Sequence, residues 1–496
     1  MAISNPGGLL NSVPASQKVA LSTNYLDLSS GQNLGWGQQY VPDLMEKEAE
    51  VFGPRTISGF LAQVGAEEAM TADQVVWSEQ SRLHLSYKGS MTNEDKFTVT
   101  SDIDGNTDAS STFVSANHGV RVNDTVLIAN ANGVFKAIVT TITDAEITVT
   151  AYDNGRIAAL STAGGTTLLV YGSEYGKGSG YSENSPTTVA KRQNNAHSAN
   201  EPDFKTFTNK PIIMKDYYEI SGSDASKIGW VEISTEGGQG GYLWYLKAES
   251  DTRARFNDYI EMAMLEAVKG DASNANTVDS HLGHAGSSVG TEGLFAAIES
   301  RGNVTTGVTG VNAATDLAEF DAILAEFDKQ GAIEEYMMFV DRATSLAMDD
   351  MLASMNSYGA GGTSFGVFNN DESMALNLGF SGFRRGSYDF YKSDMRYLND
   401  KATRGGINAA NAANAIRGVM VPAGTSSVYD QTVGASMKKP FLHVRYRASQ
   451  TDDRRMKTWT TGSVGAATSA LDAMQLHMLT ERCLITQGAN NFMLMK

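Results

Sequence analysis

Two short stretches carry the spacing of a nucleophile elbow, where a serine is held on a tight strand-to-helix turn: Gly286-Ser-Ser-Val-Gly290 and Gly362-Thr-Ser-Phe-Gly366. That chemistry needs a strand before the serine and a helix after it. Ser288 instead lies in a Gly/Asn-rich loop sequence, and Ser364 follows a helical pattern with no second helix behind it, so neither reads as a nucleophile. His281 and His284, with Asp279 beside them, have the i, i+3 spacing at which a helix can offer two imidazoles to a metal. The surrounding Asn274, Asn276, Gly283 and Gly286 argue for a loop, and no Glu-x-x-His partner accompanies them. Gly237-Gly-Gln-Gly-Gly241 precedes a helical pattern and has the flexibility to cradle a phosphate at a helix N-terminus. No Gly-Lys-Ser/Thr follows it, and the dinucleotide spacing inside a βαβ unit is absent, so it reads as a hinge. The single Cys483 excludes an internal disulfide, a multi-cysteine zinc site and a cysteine-ligated cluster. No catalytic, cofactor-binding or metal-binding residue is assigned, and the chain is expected not to be an enzyme.

What remains suits contact rather than catalysis. The segment from Arg445 to Arg455 holds Arg447, Arg454 and Arg455 with Asp452 and Asp453 between them, a mixture that fits ion pairs across subunits better than contact with DNA. Asp349 and Asp350 are read as surface acids. The 21 methionines, Met337, Met338, Met348, Met351, Met355, Met493 and Met495 among them, read as adaptable filler of cores and interfaces. The net charge of −17 repels phosphate, so tight or sequence-specific nucleic-acid binding is not expected.

The elements that must position these residues fall into a clear order. The 496 residues allow about three domains, and 41% hydrophobic content with 49 glycines but 9 prolines suits folded structure with many turns. There is no apolar run long enough to cross a membrane, and the start, MAISNPGGLLNSVPASQ, has no secretory pattern. Residues 1–38 read as an extended arm whose Leu9, Leu10, Leu26 and Leu34 must lie on something else. Residues 39–91 begin the main body, with a short helical pattern after Asp43 and a strand-like run from Ala72 to Tyr87. Over 92–171 short β-branched runs dominate: Phe97-Thr-Val-Thr, Val120-Arg-Val, Thr125-Val-Leu-Ile, Val134-Phe-Lys-Ala-Ile-Val, Glu146-Ile-Thr-Val-Thr and Leu168-Leu-Val-Tyr. With Asn132-Gly133 as a hairpin signal, this spacing predicts a small all-β sandwich or barrel.

Residues 172–215 then run back along a long polar arm that holds Lys177 and Lys191. A helix is predicted from Tyr242 to Val268, about 40 Å long, as the spine of 216–290. Within 291–430, Thr315 is placed as the cap of a helix whose Leu317, Phe320, Leu324 and Phe327 share a face, with Gly331 as its stop. Tyr336-Met-Met-Phe-Val reads as a buried strand, Asp341 caps a helix through Met355, and 408–416 reads as an Ala/Asn-rich helix. In 431–496, Phe441-Leu-His-Val-Arg-Tyr-Arg alternates as a strand, and Leu471 to Leu479 has a helical pattern.

This order of parts resembles the major capsid protein of tailed bacteriophages, the Hong Kong 97 type, with its N-arm, extended loop, peripheral domain with spine helix, and axial domain. It is most similar to the crAss-like phage major capsid proteins, in which a β-rich domain is inserted in the extended loop. The resemblance is carried by the architecture together with Tyr242-Leu-Trp-Tyr-Leu-Lys-Ala-Glu-Ser-Asp, Tyr336-Met-Met-Phe-Val-Asp-Arg-Ala-Thr, Gly418-Val-Met-Val-Pro-Ala-Gly and Glu481-Arg-Cys-Leu-Ile-Thr-Gln-Gly-Ala-Asn-Asn-Phe.

The resemblance implies an α+β fold of that type with an all-β insertion. It also implies self-assembly as pentamers and hexamers into an icosahedral shell around a double-stranded DNA genome. Expected partners are further copies of the chain and the portal, scaffold, and decoration or head-fibre proteins of the virion. Assembly is expected in the host bacterial cytoplasm, without a membrane and without a cofactor. The chain starts at the arm rather than with a charged scaffolding helix, so a separate scaffold or none is expected. Locking between subunits is expected to be non-covalent, and Leu9, Leu10, Leu26, Lys177, Lys191, Arg447, Arg454 and Arg455 are the candidate inter-subunit contacts. The alternative reading is another phage structural component: a tail, baseplate or fibre-associated protein.

Overall fold

A computed structural model of the chain describes residues 66–80, 84–93, 95–109, 113–153, 165–178, 204–223, 232–234, 240–270, 282, 290–331, 333–356, 382–423, 425–430, 435–465 and 467–496. They form two compact units, one within 78–207 and the other made by the chain on either side of it. Strands β1 (Ala66–Met70) and β2 (Val75–Gln80) come first. β2 pairs with β9 (Phe204–Asn209) in a two-stranded ribbon through which the chain leaves the larger unit and returns.

The smaller unit is a closed six-stranded barrel. Its strands are β3 (Ser86–Asn93), β4 (Lys96–Asp102), β5 (Asp124–Asn130), β6 (Gly133–Thr143), β7 (Glu146–Ala151) and β8 (Thr166–Ser173), joined in the order β3-β4-β7-β6-β5-β8. Alternate residues point inward: Phe97, Val99, Val126, Ile128, Val139, Ile147, Val149 and Leu168 are all at most 2% exposed and make one core. The period of two follows from the strand pleat. At Gly89 the β3–β4 ladder shifts register, and a Cβ there would meet the Thr98 carbonyl oxygen at 2.1 Å, so the close approach requires glycine. The hairpin near Asn132 turns at residues 131–132, with Gly133 already paired to Asn130. Val120 and Val122 are buried but lie outside any strand, contrary to the expectation for Val120-Arg-Val. Arg121 N donates to Asp124 Oδ2 instead, and Asn123 takes a positive φ, which turns the chain before β5.

In the larger unit, the first sheet runs β1, β20 (Leu442–Arg447), β22 (Ala473–Thr486), β10 (Ile212–Ser221), with β21 (Lys457–Gly462) also paired to β22. Helix α1 (Leu243–Glu266), about 36 Å long, packs Phe256 and Ile260 against Met214 and Met478 of this sheet. Of the segment Leu471–Leu479, the residues from Ala473 onward are strand rather than helix. Met474 to Arg482 pairs with β10 on one edge while β21 and then β20 occupy the other, and this pairing on both sides overrides the helical spacing of the leucines.

The second sheet runs β13 (Asn303–Thr305), β23 (Met493–Met495), β17 (Gly418–Pro422), β14 (Glu335–Val340), β16 (Tyr388–Asp394), β15 (Gly382–Arg385). Helices α3 (Ala313–Gln330) and α4 (Arg342–Asn356) supply Phe320, Phe327, Met348 and Met351 to its core, where Tyr336, Met338, Phe390 and Met420 meet them. α3 is capped by Asn312, whose Oδ1 accepts from Thr315 N at 2.9 Å, so Thr315 is inside the helix rather than its cap. Gly331 ends it in the left-handed conformation, and Asp341 caps α4 by accepting from Thr344 N at 2.7 Å.

The short helices α2 (Leu294–Arg301), α5 (Arg396–Asn399) and α6 (Arg404–Ala410) complete the unit, with hairpins of β11 (Glu232–Ser234) to β12 (Gly240–Tyr242) and β18 (Thr425–Asp430) to β19 (Ala435–Pro440). The expected helix over 408–416 begins earlier and ends at Ala410. The Asn408 side chain bonds both backbone groups of Ile416 and so competes with continuation of the helix. The last 24 residues carry β22 into the first sheet and β23 into the second, and one core joins Leu484 and Leu494 to Leu265 of α1 and Phe295 of α2.

Candidate assembly site

Strand β1 lies at the edge of the first sheet, parallel to β20, with Glu68 directly opposite Arg445. Only Met70 of its described side chains is buried, so apolar packing does little to hold it. Charge holds it instead. Arg445 Nη2 reaches Glu68 Oε2 at 2.8 Å, Arg482 Nη1 lies 3.4 Å from Glu67 Oε1, and Arg455 also pairs with Glu67. Arg447 pairs with Asp73 beyond the strand end and donates from Nε to Glu481 Oε1 at 2.7 Å. Arg454 Nε sits 2.8 Å from the other oxygen of Glu481.

Glu481 is thus 5% exposed between two guanidinium groups. Arg482, the next residue on β22, is 7% exposed on the opposite face of the strand; burial lowers its pKa, and the Glu67 carboxylate opposes that shift. Its Nη2 and the Thr480 hydroxyl both donate to the Arg455 carbonyl at 2.7 Å, which fixes the turn leading from β20 to β21. The Arg455 guanidinium also lies over the Tyr446 ring at 5.6 Å. Hydrogen bonding to Asp73, and then to Glu481, raises the pKa of Arg447 further. Five arginines and four carboxylates therefore clamp an edge strand and a return loop onto β22, the arrangement in which planar guanidinium forks are most effective.

The sequence expectation grouped Arg447, Arg454 and Arg455, and they do come together, but their observed partners are acids of the same chain. Glu67, Glu68, Asp73, Glu481, Arg445 and Arg482 complete the cluster. Alternation along Phe441–Arg447 is the signal that puts Arg445 and Arg447 on one face. Nothing local points to Glu67, more than 370 residues away. Lys177 follows β8 and is exposed. Leu9, Leu10, Leu26 and Lys191 lie outside the described residues, as do His281, His284, Ser288, Ser364 and Gly237 to Gln239.

The face of the first sheet turned away from α1 carries a second feature. Tyr217, His477 and Trp459 stand opposite one another on β10, β22 and β21. Their rings stack at 6.1 Å and 5.2 Å on either side of the imidazole, and Thr461 Oγ1 lies 2.7 Å from His477 Nε2. Such cross-strand stacks stabilise a sheet while leaving ring faces open. Asp349 departs from its reading as a surface acid: it is buried on the inner side of α4 against Lys392 of β16, while Asp350 is exposed. Cys483 is buried among strands, which pushes its thiol up to about 12. Among the described residues, no group of three His, Cys, Asp or Glu side chains is placed to hold a metal, and no helix is long and apolar enough to cross a membrane.

No family model matches the chain, and no curated protein matches it. Solved structures do. One described as Microbacterium phage Oxtober96 aligns over 95% of this chain and 99% of its own at 9% identity, with a TM-score of 0.35. Gordonia phage Cozz aligns over 63% of this chain and 77% of its own at 13% identity and 0.32. The Cyanophage Pam1 capsid asymmetric unit aligns over 64% and 82% at 10% identity and 0.34. Likenesses this distant carry no weight for function.

Proposed function

We propose that the chain is a virion structural protein, the major capsid protein of a tailed bacteriophage, with the Hong Kong 97-type fold and the inserted barrel of crAss-like relatives. The observation that supports this most is the order of parts. A barrel is inserted through a two-stranded ribbon, a long helix lies on a five-stranded sheet, a second sheet carries two helices, and the C-terminal strands return to both sheets.

In this reading the first sheet and α1 are the peripheral domain, the second sheet is the axial domain, and the barrel is the insertion. The domain boundaries drawn from sequence belong to the same proposal. Subunits meet as pentamers and hexamers, close a shell around double-stranded DNA, and work with portal, scaffold, and decoration or head-fibre proteins in the host cytoplasm. Closed shells from one chain need interfaces that accept several angles.

The ion-pair cluster gives β1 a mooring that holds by charge rather than by shape. Residues 1–38, reached through β1, then act as the arm, with Leu9, Leu10 and Leu26 on a neighbour. Lys177 and Lys191 sit on the extended loop, and Arg447, Arg454 and Arg455 have exchangeable acid partners at the subunit boundary. Light scattering on the purified protein tests the proposal. Particles of hundreds of subunits, or five- and six-subunit rings, are expected; a stable monomer or trimer that never enlarges when the other virion proteins are supplied overturns it.

A further inference from the structure

The outer surface of the barrel is divided into two unlike halves. On the adjacent strands β3, β4 and β7, outward positions are polar: Lys88, Thr98, Thr100, Thr148 and Thr150. They are joined by contacts such as Thr92 to Thr98 at 2.8 Å and Lys96 to Glu146 at 2.6 Å. This is the pattern of a sheet face that meets water. On β6, β5 and β8, also adjacent, most outward positions are apolar: Leu127, Ala129, Val134, Ile138, Leu169 and Tyr171, with Lys136, Thr140 and Thr167 among them. Val134 is 59% exposed, Tyr171 51% and Leu169 36%. The register sets Leu127 between Leu169 and Lys136, and Ala129 between Thr167 and Val134. Val126, Ile128, Ala137, Val139 and Leu168, the inward residues of these strands, already fill the barrel. The outer apolar set is not needed by that core, and a cluster of exposed apolar side chains with few polar residues among them marks a contact site.

We propose that this half of the barrel is an interface between copies of this chain, packed face to face on the same three strands of a second copy. The proposal rests on the capsid reading and deepens it by naming what the inserted barrel touches. A closed barrel has no free edge, so association by strand addition is closed to it and the face is what remains. Sheets that pack face to face bury their alternate outward side chains, and most of those are apolar here.

Charge selects the occupant. The chain carries −17, so two copies repel over most of their surface. Within these strands the outward face bears one charge, Lys136, while Asp153 and Glu174 stand beyond the strand ends, Glu174 bonded by the Tyr152 hydroxyl. A nearly neutral face with a base on it and acids at its margin lets a second copy offer its acids to Lys136, which is the self-complementarity that an isologous contact needs.

Cysteine cross-linking tests this, because the one native thiol, Cys483, is buried and held protonated. Leu169→Cys and Val134→Cys are compared with Thr100→Cys on the polar half, each in the full chain, treated with a short bis-maleimide and read on a denaturing gel. Covalent dimers of the chain from the first two variants, with none above background from Thr100→Cys, are expected. Equal yields from all three, no dimers from Leu169→Cys and Val134→Cys, or cross-links to a different protein overturn the interface. Electron microscopy of the same samples reads the capsid proposal separately. Shells without dimers overturn the interface alone, dimers without shells overturn the capsid reading alone, and neither product overturns both.

Discussion

Lys392 Nζ lies 2.5 Å from Asp349 Oδ1, joining β16 of the second sheet to helix α4, with 6% and 11% of the two side chains exposed. The ammonium also donates to the Ser345 carbonyl at 3.1 Å, so the buried charge is satisfied from two directions. Removing one partner leaves the other as an uncompensated buried charge. Lys392→Met is therefore expected to cost about 3–5 kcal/mol, read as a shift in the urea midpoint. The double variant Lys392→Met with Asp349→Leu should recover most of that loss. A single variant as stable as the parent would show that the pair contributes nothing.

Glu481 is the shared acceptor of Arg447 and Arg454, and β1 depends on the cluster it organises. In Glu481→Gln both guanidinium groups lose a charged partner, at a cost of roughly 2–3 kcal/mol for bonds to a charged group. Hydrogen exchange should report the loss locally, as faster exchange over Ala66–Met70 than over β10 on the far side of the same sheet. Unchanged protection of β1 would mean that charge does not hold it.

His118 is 3% exposed in the barrel, edge-on to the Tyr87 ring at 6.0 Å, and burial lowers its pKa to about 4. The folded barrel therefore keeps it neutral, while the unfolded chain takes up the proton below the ordinary value of about 6.5. Its full stability is present above that pH and declines as pH falls toward 4, where the folded form protonates as well. The loss across the window is about 3 kcal/mol. Thermal melts of the parent and His118→Leu between pH 7 and 4 should diverge by that dependence, and parallel melts would contradict it.

The barrel and the two helices of the second sheet were legible because their signals are local. β-branched runs broken by turn residues mark β4 to β8, and the caps Asp341 and Gly331 mark α4 and α3. Strand β3 was less legible: Ser86-Tyr-Lys-Gly-Ser-Met-Thr-Asn is weak in β-formers, and its glycine is there for the approach to Thr98. The helical pattern of Leu471–Leu479 misleads because Met474–Leu479 pair with β10 on one edge and β21 on the other. Pairing on both edges decides the strand there, and the leucines fall at helical spacing by coincidence. The ion-pair cluster was half visible, since arginines close in sequence can be grouped by eye while Glu67 and Glu481 meet them only through the fold.

The arm makes a separate prediction. If residues 1–38 tie one subunit to the next, deletion of residues 1–30 should leave a folded subunit with an unchanged circular dichroism spectrum and abolish shell formation. Normal shells from the deleted chain would remove the arm from the assembly mechanism.

The central claim is that this chain builds a closed shell, and the most direct test is electron microscopy of its assembled particles with reconstruction under icosahedral symmetry. The account predicts rings of five and six subunits, with the second sheet toward each ring centre, the first sheet toward its rim, and one barrel per subunit. Particles without such rings, or a tubular or fibrous assembly built from this chain, would contradict it and favour a tail or fibre component.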